Sequence, residues 1–541
     1  MVETNYSHHA LVESHQTNNQ LDSSTKTLMP ASQPQIKVQS FGPKDFLQGI
    51  SPLQIQQSAF GGFFAQATGV DLYRYPGFIC PGASPTTFSQ SNLVTDLIVS
   101  LGGTNPNVSA VFGSSSAKLY EILLSNNTVT SANGFPHTYS GQTAANGNSI
   151  LIYAIQGTKS LFYFEDQDIG KTDMAGSFTD NWGSTVPAGA ASLINTTHRA
   201  VVLNAICYFT NGNSIGKLDG TIGTNGTLTP SFFTIPPGYM ATDIQIVKGN
   251  LEIYATNAGV LTPDPTFPGQ AIVITWDGVN PLATDISAIE DNLISSGKML
   301  DGFPYIFSAA KQAGVALRRK NFYGYPQIQV VNNNGTANLP NPTQADVSNS
   351  MLVWGDSNTN KIWAYGTPFP TYSLRGSQDA GAQFPEALHN IIVPSGTNVG
   401  ALINANKNQL VVSSKTGSTY YLELFPLSNA SSFNNASASF KTNFIQLPDD
   451  SVIKWVRVYV LPPSTGAAFT LSLYTDFGTS PTFTSSDDLT SSTLDANGKS
   501  KTFYVNDPMC DNFAIGGNWA NSSGTSNSII ITRIDVGFIT K

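Results

Sequence analysis

The stretch ILIYAIQGTKSLFYF (150–164) belongs to the pattern that decides the fold of this chain. Two apolar runs rich in β-branched and aromatic residues flank a small polar turn, which predicts a β-hairpin. Similar hairpins recur along the sequence. They are SAVFGSSSAKLYEILL (109–124), AVVLNAICYFTNGNSIGKL (200–218), DIQIVKGNLEIYA (243–255), SMLVWGDSNTNKIWAYG (350–366) and ALINANKNQLVVSSKTGSTYYLEL (401–424).

These hairpins recur roughly every 40–60 residues, which is the repeat range of propeller blades. The segment 92–445 is about 350 residues long, enough for six or seven blades of about 50 residues each. The predicted fold class is therefore all-β, with a β-propeller over 92–445. A series of β-sandwiches with similar hairpins is the alternative, because neither a WD signature nor a kelch pattern is present.

The segments on either side of the repeats differ from them in composition. Residues 1–58 are polar and lack periodicity, which predicts an extended arm that becomes ordered when a partner holds it. Residues 59–91 are interpreted as a docking segment. The C-terminal segment 446–541 contains five or more short strand patterns, beginning with VIKWVRVYVLPP (452–463), and predicts a β-sandwich. One stretch, ATDISAIEDNLISS (283–296), has the apolar spacing of a short surface helix.

Charged residues make up 11% of the 541 residues, about half the usual share, and the net charge is −9. Bulk binding to phosphates needs many cations on one face, which argues against an ordinary nucleic-acid binder. The densest basic stretch, Arg318-Arg319-Lys320, is predicted to be a solvated strand end. The three cysteines, Cys80, Cys207 and Cys510, have no disulfide or metal spacing and are predicted to be buried free thiols.

The first residues, MVETNYSHHALVES, show no basic region followed by an apolar one. No apolar stretch in the sequence approaches the length of a membrane span. We therefore expect synthesis in the cytoplasm without a secretory signal and no transmembrane segment.

No catalytic motif of the common kinds occurs in the sequence, so we predict no catalytic residues, no cofactor and no metal site. The strongest metal candidate is Glu165-Asp166-Gln167-Asp168, which lacks the full alternation of a calcium loop, and a solvated blade loop is the favoured interpretation. A glycoside hydrolase would need a carboxylate pair across a cleft, which sequence cannot place. The isolated His137, His198 and His389 are interpreted as turn or core residues.

The most distinctive stretch is AFGGFFAQATGVDLYRYPGFICPG (59–82), which reads as a strand entering the structure from the arm. It has too many aromatic residues for a plain linker. We predict that part of it packs in the closing sandwich or on a neighbouring subunit. The predicted docking and assembly residues are Gly69, Asp71, Tyr73, Tyr75, Pro76 and Gly77.

This stretch resembles the opening of tail proteins of tailed bacteriophages, in which a similar phrase follows an extended arm and precedes a propeller. The segments SFKTNFIQLPDDSVIKWVRVYVLPP (439–463) and FTLSLYTDFGTS (469–480) resemble the closing part of the same proteins. The resemblance implies a virion structural protein of the tail nozzle, adaptor or ring kind. Its implied partners are other tail proteins and further copies of itself in a closed ring, with phage DNA only in transit through an acidic lumen.

The alternative is a receptor-binding or carbohydrate-binding propeller on the virion surface, recognising a host receptor. Exposed aromatic side chains such as Trp182, Trp276 and Trp363 could stack on sugar faces in that case, although tryptophan on a blade strand usually serves packing. A glycan hydrolase ranks last among the three hypotheses.

Overall fold

The computed structural model describes a nearly all-β chain that contains a seven-bladed propeller and a separate ten-stranded sheet. Among the described residues, the single α-helix, α1, covers Pro43–Phe46. The described ranges are 36–50, 63–72, 74–75, 77–101, 109–124, 128–140, 149–185, 193–222, 225–257, 269–310, 314–322, 324–332, 339–348, 350–355, 360–366, 387–406, 409–427, 432–463, 465–520 and 526–540.

The chain divides into two compact units. The first comprises residues 1–84, 367–392 and 431–541, and the second comprises 85–366 and 393–430. The strands that precede the first blade are β1 (Lys37–Phe41), β2 (Phe64–Thr68), β3 (Val70–Asp71), β4 (Cys80–Pro81) and β5 (Thr86–Gln90).

In blades two to six, the four strands of the sheet are hydrogen-bonded in the order in which they follow one another along the chain. Blade one contains β6 (Val94–Leu101), β7 (Ser109–Ser115), β8 (Lys118–Leu123), β9 (Thr128–Val129) and β10 (His137–Thr138). Blade two contains β11 (Ser149–Ile155), β12 (Thr158–Phe164), β13 (Ile169–Thr172) and β14 (Phe178–Thr179). Blade three contains β15 (Ala200–Leu203), β16 (Ile206–Asn211), β17 (Ser214–Asp219) and β18 (Thr227–Thr234).

Blades four to six continue the same order. Blade four contains β19 (Tyr239–Val247), β20 (Asn250–Asn257), β21 (Ile272–Trp276) and β22 (Asp285–Ala288). Blade five contains β23 (Ile294–Leu300), β24 (Phe303–Ala310), β25 (Gly314–Arg319) and β26 (Gln327–Asn332). Blade six contains β27 (Ala345–Ser348), β28 (Met351–Gly355), β29 (Ile362–Gly366) and β30 (Ala387–Ile392).

The seventh blade closes the propeller with a strand from the other end of the sequence. Its order is β31 (Asn398–Asn406), β32 (Gln409–Thr416), β33 (Thr419–Pro426) and then β5. Phe88 lies opposite Leu422 in this pairing. The propeller prediction is confirmed, and the six or seven expected blades are seven.

Tight turns join the first two strands of several blades. Gln156 and Gly157 both have positive φ, as do Lys248 and Gly249. Two consecutive residues with positive φ form the hairpin turn whose twist matches that of the flanking strands. Apolar residues of neighbouring blades pack against one another, and one buried cluster joins Leu203 and Tyr208 of blade three to Ile253 of blade four.

The first unit contains the ten-stranded sheet, whose main path is β1, β41, β35, β40, β34 and β2, with the other strands attached at its side. The C-terminal strands are β34 (Ser439–Thr442), β35 (Ile445–Val460), β36 (Ala468–Thr475), β37 (Phe483–Thr484), β38 (Leu489–Thr490), β39 (Ser500–Tyr504), β40 (Met509–Trp519) and β41 (Ile531–Thr540). These strands share one hydrogen-bonded network, and a closing β-sandwich remains a prediction.

Two sequence predictions differ from the observed elements. The expected helix over 283–296 is instead the end of blade four and the start of blade five, because β22 pairs with β21 and leaves Ile286 exposed on an outer strand. An extended arm was expected over 1–58, but residues 36–50 are part of the folded first unit, because β1 pairs with β41 over five residues. Residues 1–35 and 51–58 lie outside the described residues.

Candidate functional site

Backbone contacts fix the predicted docking segment within the first unit. Gly69 has a φ of +59°, and its N–H donates to Oδ1 of Asn390 at 2.7 Å. Asp71 is buried. Gly77 has a φ of +73°, and a Cβ atom there would lie 2.7 Å from Cβ of Pro43, so this position requires glycine. Tyr73 and Pro76, which complete the predicted set, lie outside the described residues.

The middle of this segment packs against residues that are distant in sequence. The Arg74 guanidinium lies 3.9 Å from the centre of the Phe433 ring. Tyr75 is half-buried against a cluster that includes Cys80, Phe433 and Ile530. The structure therefore brings part of the predicted docking segment together with the C-terminal part of the chain inside one unit.

The centre of the propeller holds a second and more polar group of residues, which sequence reasoning missed. A cavity of about 160 Å³ lies where the first strands of the blades converge. Five ionisable side chains from five different blades line it. They are Asp96, Arg199, Asp243, Lys298 and Asp346.

Asp96 joins the first strands of two neighbouring blades. Its Oδ2 accepts a hydrogen bond from the N–H of Ile150 in blade two at 2.8 Å, and its Oδ1 accepts one from the N–H of Leu97 at 2.8 Å. The same residue marks an irregularity in the pairing of β6 with β7. This irregularity breaks the regular ladder and lets the carboxylate reach the next blade.

Asp243 and Asp346 repeat this arrangement at two other blade junctions. Oδ2 of Asp243 accepts from the N–H of Gly297 in blade five at 2.9 Å. Oδ2 of Asp346 accepts from the N–H of Asn404 in blade seven at 2.7 Å. The available sequence signal was an aspartate directly before a branched apolar residue (Leu97, Ile244 and Val347), but its meaning depends on the neighbouring blade.

Burial dominates the electrostatics of this central group. Desolvation raises the pKa of Asp96 to about 6, although the Arg199 guanidinium and two backbone N–H groups oppose the shift. Desolvation also raises the pKa values of Asp243 and Asp346, and the Lys298 ammonium is the strongest opposing charge for both. The two cations thus compensate three carboxylates only in part.

The acidic stretch after β12 is buried, so its interpretation as a solvated blade loop is wrong. The side chain of Glu165 has no exposed surface, and among the described residues neither of its oxygens has a hydrogen-bond partner. Desolvation and the neighbouring carboxylates raise its pKa to about 8. Asp168 instead accepts hydrogen bonds from its neighbour Ile169 and from Ser184. Within the described ranges, no group of three or more acidic, histidine or cysteine side chains could hold a metal ion.

The basic stretch 318–320 is also buried at its start, which overturns the predicted solvated strand end. Nε of Arg318 lies 2.7 Å from Oδ2 of Asp291, and both side chains are almost fully buried. Lys320 pairs with the buried Glu252. Two of its three cations, Arg318 and Lys320, therefore form ion pairs with carboxylates from other parts of the chain.

The predictions for the isolated histidines and for the cysteines hold in outline. His198 and His389 are buried, and desolvation lowers the pKa of His389 to about 3. His137 lies 2.9 Å from Oδ1 of Asp180 and stacks on Phe178. All three cysteines are buried free thiols, as predicted.

Two of the three tryptophans considered for sugar stacking are core residues. Trp276 is 1% exposed and Trp182 is 6% exposed, so neither offers an open ring face. Trp363 is half-buried, with the Lys361 ammonium 5.6 Å from its ring centre. Within the described part of the chain, no helix is long and apolar enough to cross a membrane.

No protein-family model and no curated protein matches the chain. Solved structures with a similar fold include Chaetomium thermophilum Raptor, at 10% identity and a TM-score of 0.42. The matched region covers 66% of this chain and 30% of that one. The Neurospora crassa Pan2 WD40 domain is similar at 6% identity and a TM-score of 0.38, over 62% of this chain and 92% of that domain.

The Myceliophteria thermophila Cps50 (Swd1) β-propeller domain is similar at 9% identity and a TM-score of 0.41, over 64% of this chain and 100% of that domain. These likenesses concern the fold and carry no functional information. The strand order of the seven sheets is the basis for the number of blades. By fold, strands β5 to β33 of this chain form a seven-bladed β-propeller.

Proposed function

We propose that this protein is a structural component of a tailed-bacteriophage virion, of the tail nozzle, adaptor or ring kind, and not an enzyme. The observation that carries the proposal is the joint placement of the segments that resemble phage tail proteins. The 69–82 segment and the C-terminal segments 439–463 and 469–480 all belong to the first unit. Ile79 and Ile531 exchange backbone hydrogen bonds at 2.9 Å.

The propeller offers a rigid body for such a role. Its polar centre is occupied in holding blades together, since Asp96, Asp243 and Asp346 each accept a backbone N–H from the following blade. Head-to-tail contacts between identical subunits close into a ring when the rotation between them closes. The net charge of −9 suits a conduit, because an acidic lumen repels DNA phosphates in transit.

The proposal is tested by electron microscopy and mass photometry of the purified protein and of the particles that contain it. We expect closed rings with one rotational symmetry, placed on the tail axis of the particle. Tyr75→Ser should weaken ring assembly while circular dichroism still shows a native β signal, and Tyr504→Ser, at a side chain that is 77% exposed, is the matched control. A protein that stays monomeric and is absent from purified particles would contradict the proposal.

A receptor-binding propeller is the second candidate, and exposed aromatic residues on blade five favour it. Phe303 is 52% exposed and Phe322 is 95% exposed. The Arg319 guanidinium lies 5.8 Å from the centre of the Phe303 ring. A glycan-array screen of the whole chain and of the variant Phe303→Ser with Phe322→Ser tests it. Binding that the double substitution abolishes supports this candidate, and no binding by the unaltered chain rejects a glycan receptor.

A further inference from the structure

The blade-to-blade hydrogen bonds explain only part of the polar lining of the cavity at the centre of the propeller. Its lining combines charged side chains with neutral polar ones, such as Gln245 and Thr343, and aliphatic ones, such as Leu97 and Leu402, and among the described residues no aromatic side chain takes part. A sugar site typically offers an aromatic face for stacking, so this lining favours a small charged ligand over a sugar.

The charge of the lining is unbalanced toward the negative side. Asp96, Asp243 and Asp346 face two cations, Arg199 and Lys298. The nearest pair among them, Arg199 Nη1 and Asp96 Oδ2, is separated by 3.9 Å. Each carboxylate uses part of its acceptor capacity on backbone N–H groups and retains further lone pairs. The lining can therefore accept hydrogen bonds from an additional positively charged donor.

The ammonium group of Lys298 supplies the complementary feature. In the described ranges, no protein acceptor forms a hydrogen bond or a close ion pair with it, although it interacts electrostatically with all three carboxylates. An ammonium group has three N–H donors. A ligand with an oxygen acceptor could engage these donors while its own positive group engages the carboxylates.

We propose that the centre of the propeller binds a small primary ammonium compound that also carries an oxygen acceptor, that is, an amino alcohol or an amino acid. Its ammonium group contacts the aspartates and its hydroxyl or carboxylate contacts Lys298. This site is independent of assembly into a virion, so its failure would leave the proposed function unaffected.

The cavity limits the size and the affinity of this ligand. At about 160 Å³ it resembles cavities known to admit a ligand of about six heavy atoms. Ethanolamine and glycine fall within that size. The ceiling on binding free energy per heavy atom means that the dissociation constant is no lower than about 40 μM for ethanolamine, with four heavy atoms, and about 3 μM for glycine, with five.

Isothermal titration calorimetry of the whole chain at pH 7.5, with four probes, tests the proposal. Ethanolamine and glycine carry both groups, ethylammonium carries only the positive group, and acetate carries only the acceptor. We expect ethanolamine or glycine to bind one per chain and about tenfold more tightly than ethylammonium, because a hydrogen bond to a charged donor is a strong one. Acetate should not bind.

Substitution of Lys298 separates the two halves of the site. Lys298→Met should abolish the preference for ethanolamine over ethylammonium, and it should not weaken ethylammonium binding, because it removes a cation that faces the same carboxylates. Lys159→Met, at an exposed lysine on β12, is the matched control and should change neither. Because the Lys298 ammonium compensates part of the charge of Asp243 and Asp346, we expect its variant to melt below the unaltered protein, and the titration is carried out well below both melting temperatures.

The pH dependence provides a second readout. The cavity faces Asp96, Asp243, Asp346, Arg199 and Lys298, and protonation of Asp96 removes an acceptor charge. Affinity for ethanolamine should therefore fall as the pH is lowered through about 6, and this fall should be reduced in Asp96→Asn. No binding of ethanolamine or glycine at millimolar concentrations, or an unchanged preference in Lys298→Met, would overturn the proposal.

Discussion

At the scale of single residues, the described structure places ionisable groups in the interior of a chain that has few of them. Asp291 and Arg318 form a buried pair, and Glu252 meets Lys320. A buried charge is costly unless a partner compensates it. Glu165 is an exception, because both of its oxygens are buried without a hydrogen-bond partner among the described residues.

Replacing Glu165 by glutamine should stabilise the protein near neutral pH. The folded state raises the pKa of this carboxyl from 4.5 to about 8, so the folded protein holds a proton that the unfolded chain releases. The free energy of unfolding of the unaltered protein therefore falls as the pH rises from about 4.5 to about 8. Glu165→Gln avoids this loss, and we expect a gain of about 1–3 kcal/mol at pH 7, since one pKa unit corresponds to about 1.4 kcal/mol and relaxation reduces the full shift.

Thermal melting between pH 5 and pH 8.5 measures this effect. The difference in melting temperature between Glu165→Gln and the unaltered protein should widen as the pH increases. Glu290→Gln, at a glutamate whose side chain is 87% exposed, is the control and should show a constant difference. A Glu165→Gln protein that melts lower at pH 8 would contradict the assignment.

At the scale of secondary-structure elements, aromatic residues cover glycines on neighbouring strands. Phe209 lies directly opposite Gly216, and Tyr163 lies directly opposite Gly170. A Cβ atom on Gly216 would lie 2.1 Å from Cζ of Phe209, and one on Gly170 would lie 1.9 Å from Cε2 of Tyr163. The missing side chain makes room for a ring that lies flat on the strand, an arrangement known to stabilise sheets.

Gly216→Ala should therefore destabilise blade three by about 1–3 kcal/mol, the usual cost of overpacking a core. Denaturant unfolding measures the loss. Adding Phe209→Leu should recover part of it, because the smaller side chain frees the space that the new methyl group needs. Gly42→Ala is the control, since a Cβ atom there meets nothing within 4 Å and φ is −141°. Equal effects of both alanine substitutions would contradict this explanation.

At the scale of the propeller, one strand determines whether the circle of blades is closed. β5 precedes the first blade in sequence but forms the last strand of the seventh. Five residue pairs join it to β33, among them Thr87 with Glu423 and Phe88 with Leu422. Because this pairing connects the two ends of the propeller sequence, its loss should affect all blades and not only the seventh.

Proline substitutions in β5 test the closure. N–H groups of successive residues in an antiparallel strand point in opposite directions, so only one of Thr87 and Phe88 donates to β33. Thr87→Pro and Phe88→Pro, made separately, should differ accordingly. The free energy of unfolding should fall by about 3 kcal/mol in the variant that loses the ladder hydrogen bond, and by less in the other variant.

Hydrogen exchange of backbone amides shows where protection is lost. In the costly proline variant, exchange should accelerate in blades one to six as well as in β31–β33. If exchange accelerates only in β5 and β33, the propeller does not depend on β5 for closure. Two equally mild variants would lead to the same conclusion.

The sequence by itself determined the elements and their repetition. Hairpins such as 150–164 carry their own turn residues and their own apolar faces, so local pattern was sufficient to predict an all-β chain with a propeller of six or seven blades. The burial of the three cysteines followed from residue type and spacing. These properties depend on neighbours along the chain, which the sequence displays directly.

Only the tertiary structure decided which strands meet and which charges are compensated. The role of β5 in blade seven joins residues more than 300 positions apart. Asp96, Asp243 and Asp346 became blade-to-blade acceptors, and Arg318 became a buried partner of Asp291, because side chains from other strands surround them. A charged residue has the same appearance in a sequence whether water or an opposite charge stabilises it, and the folded neighbourhood selects between the two.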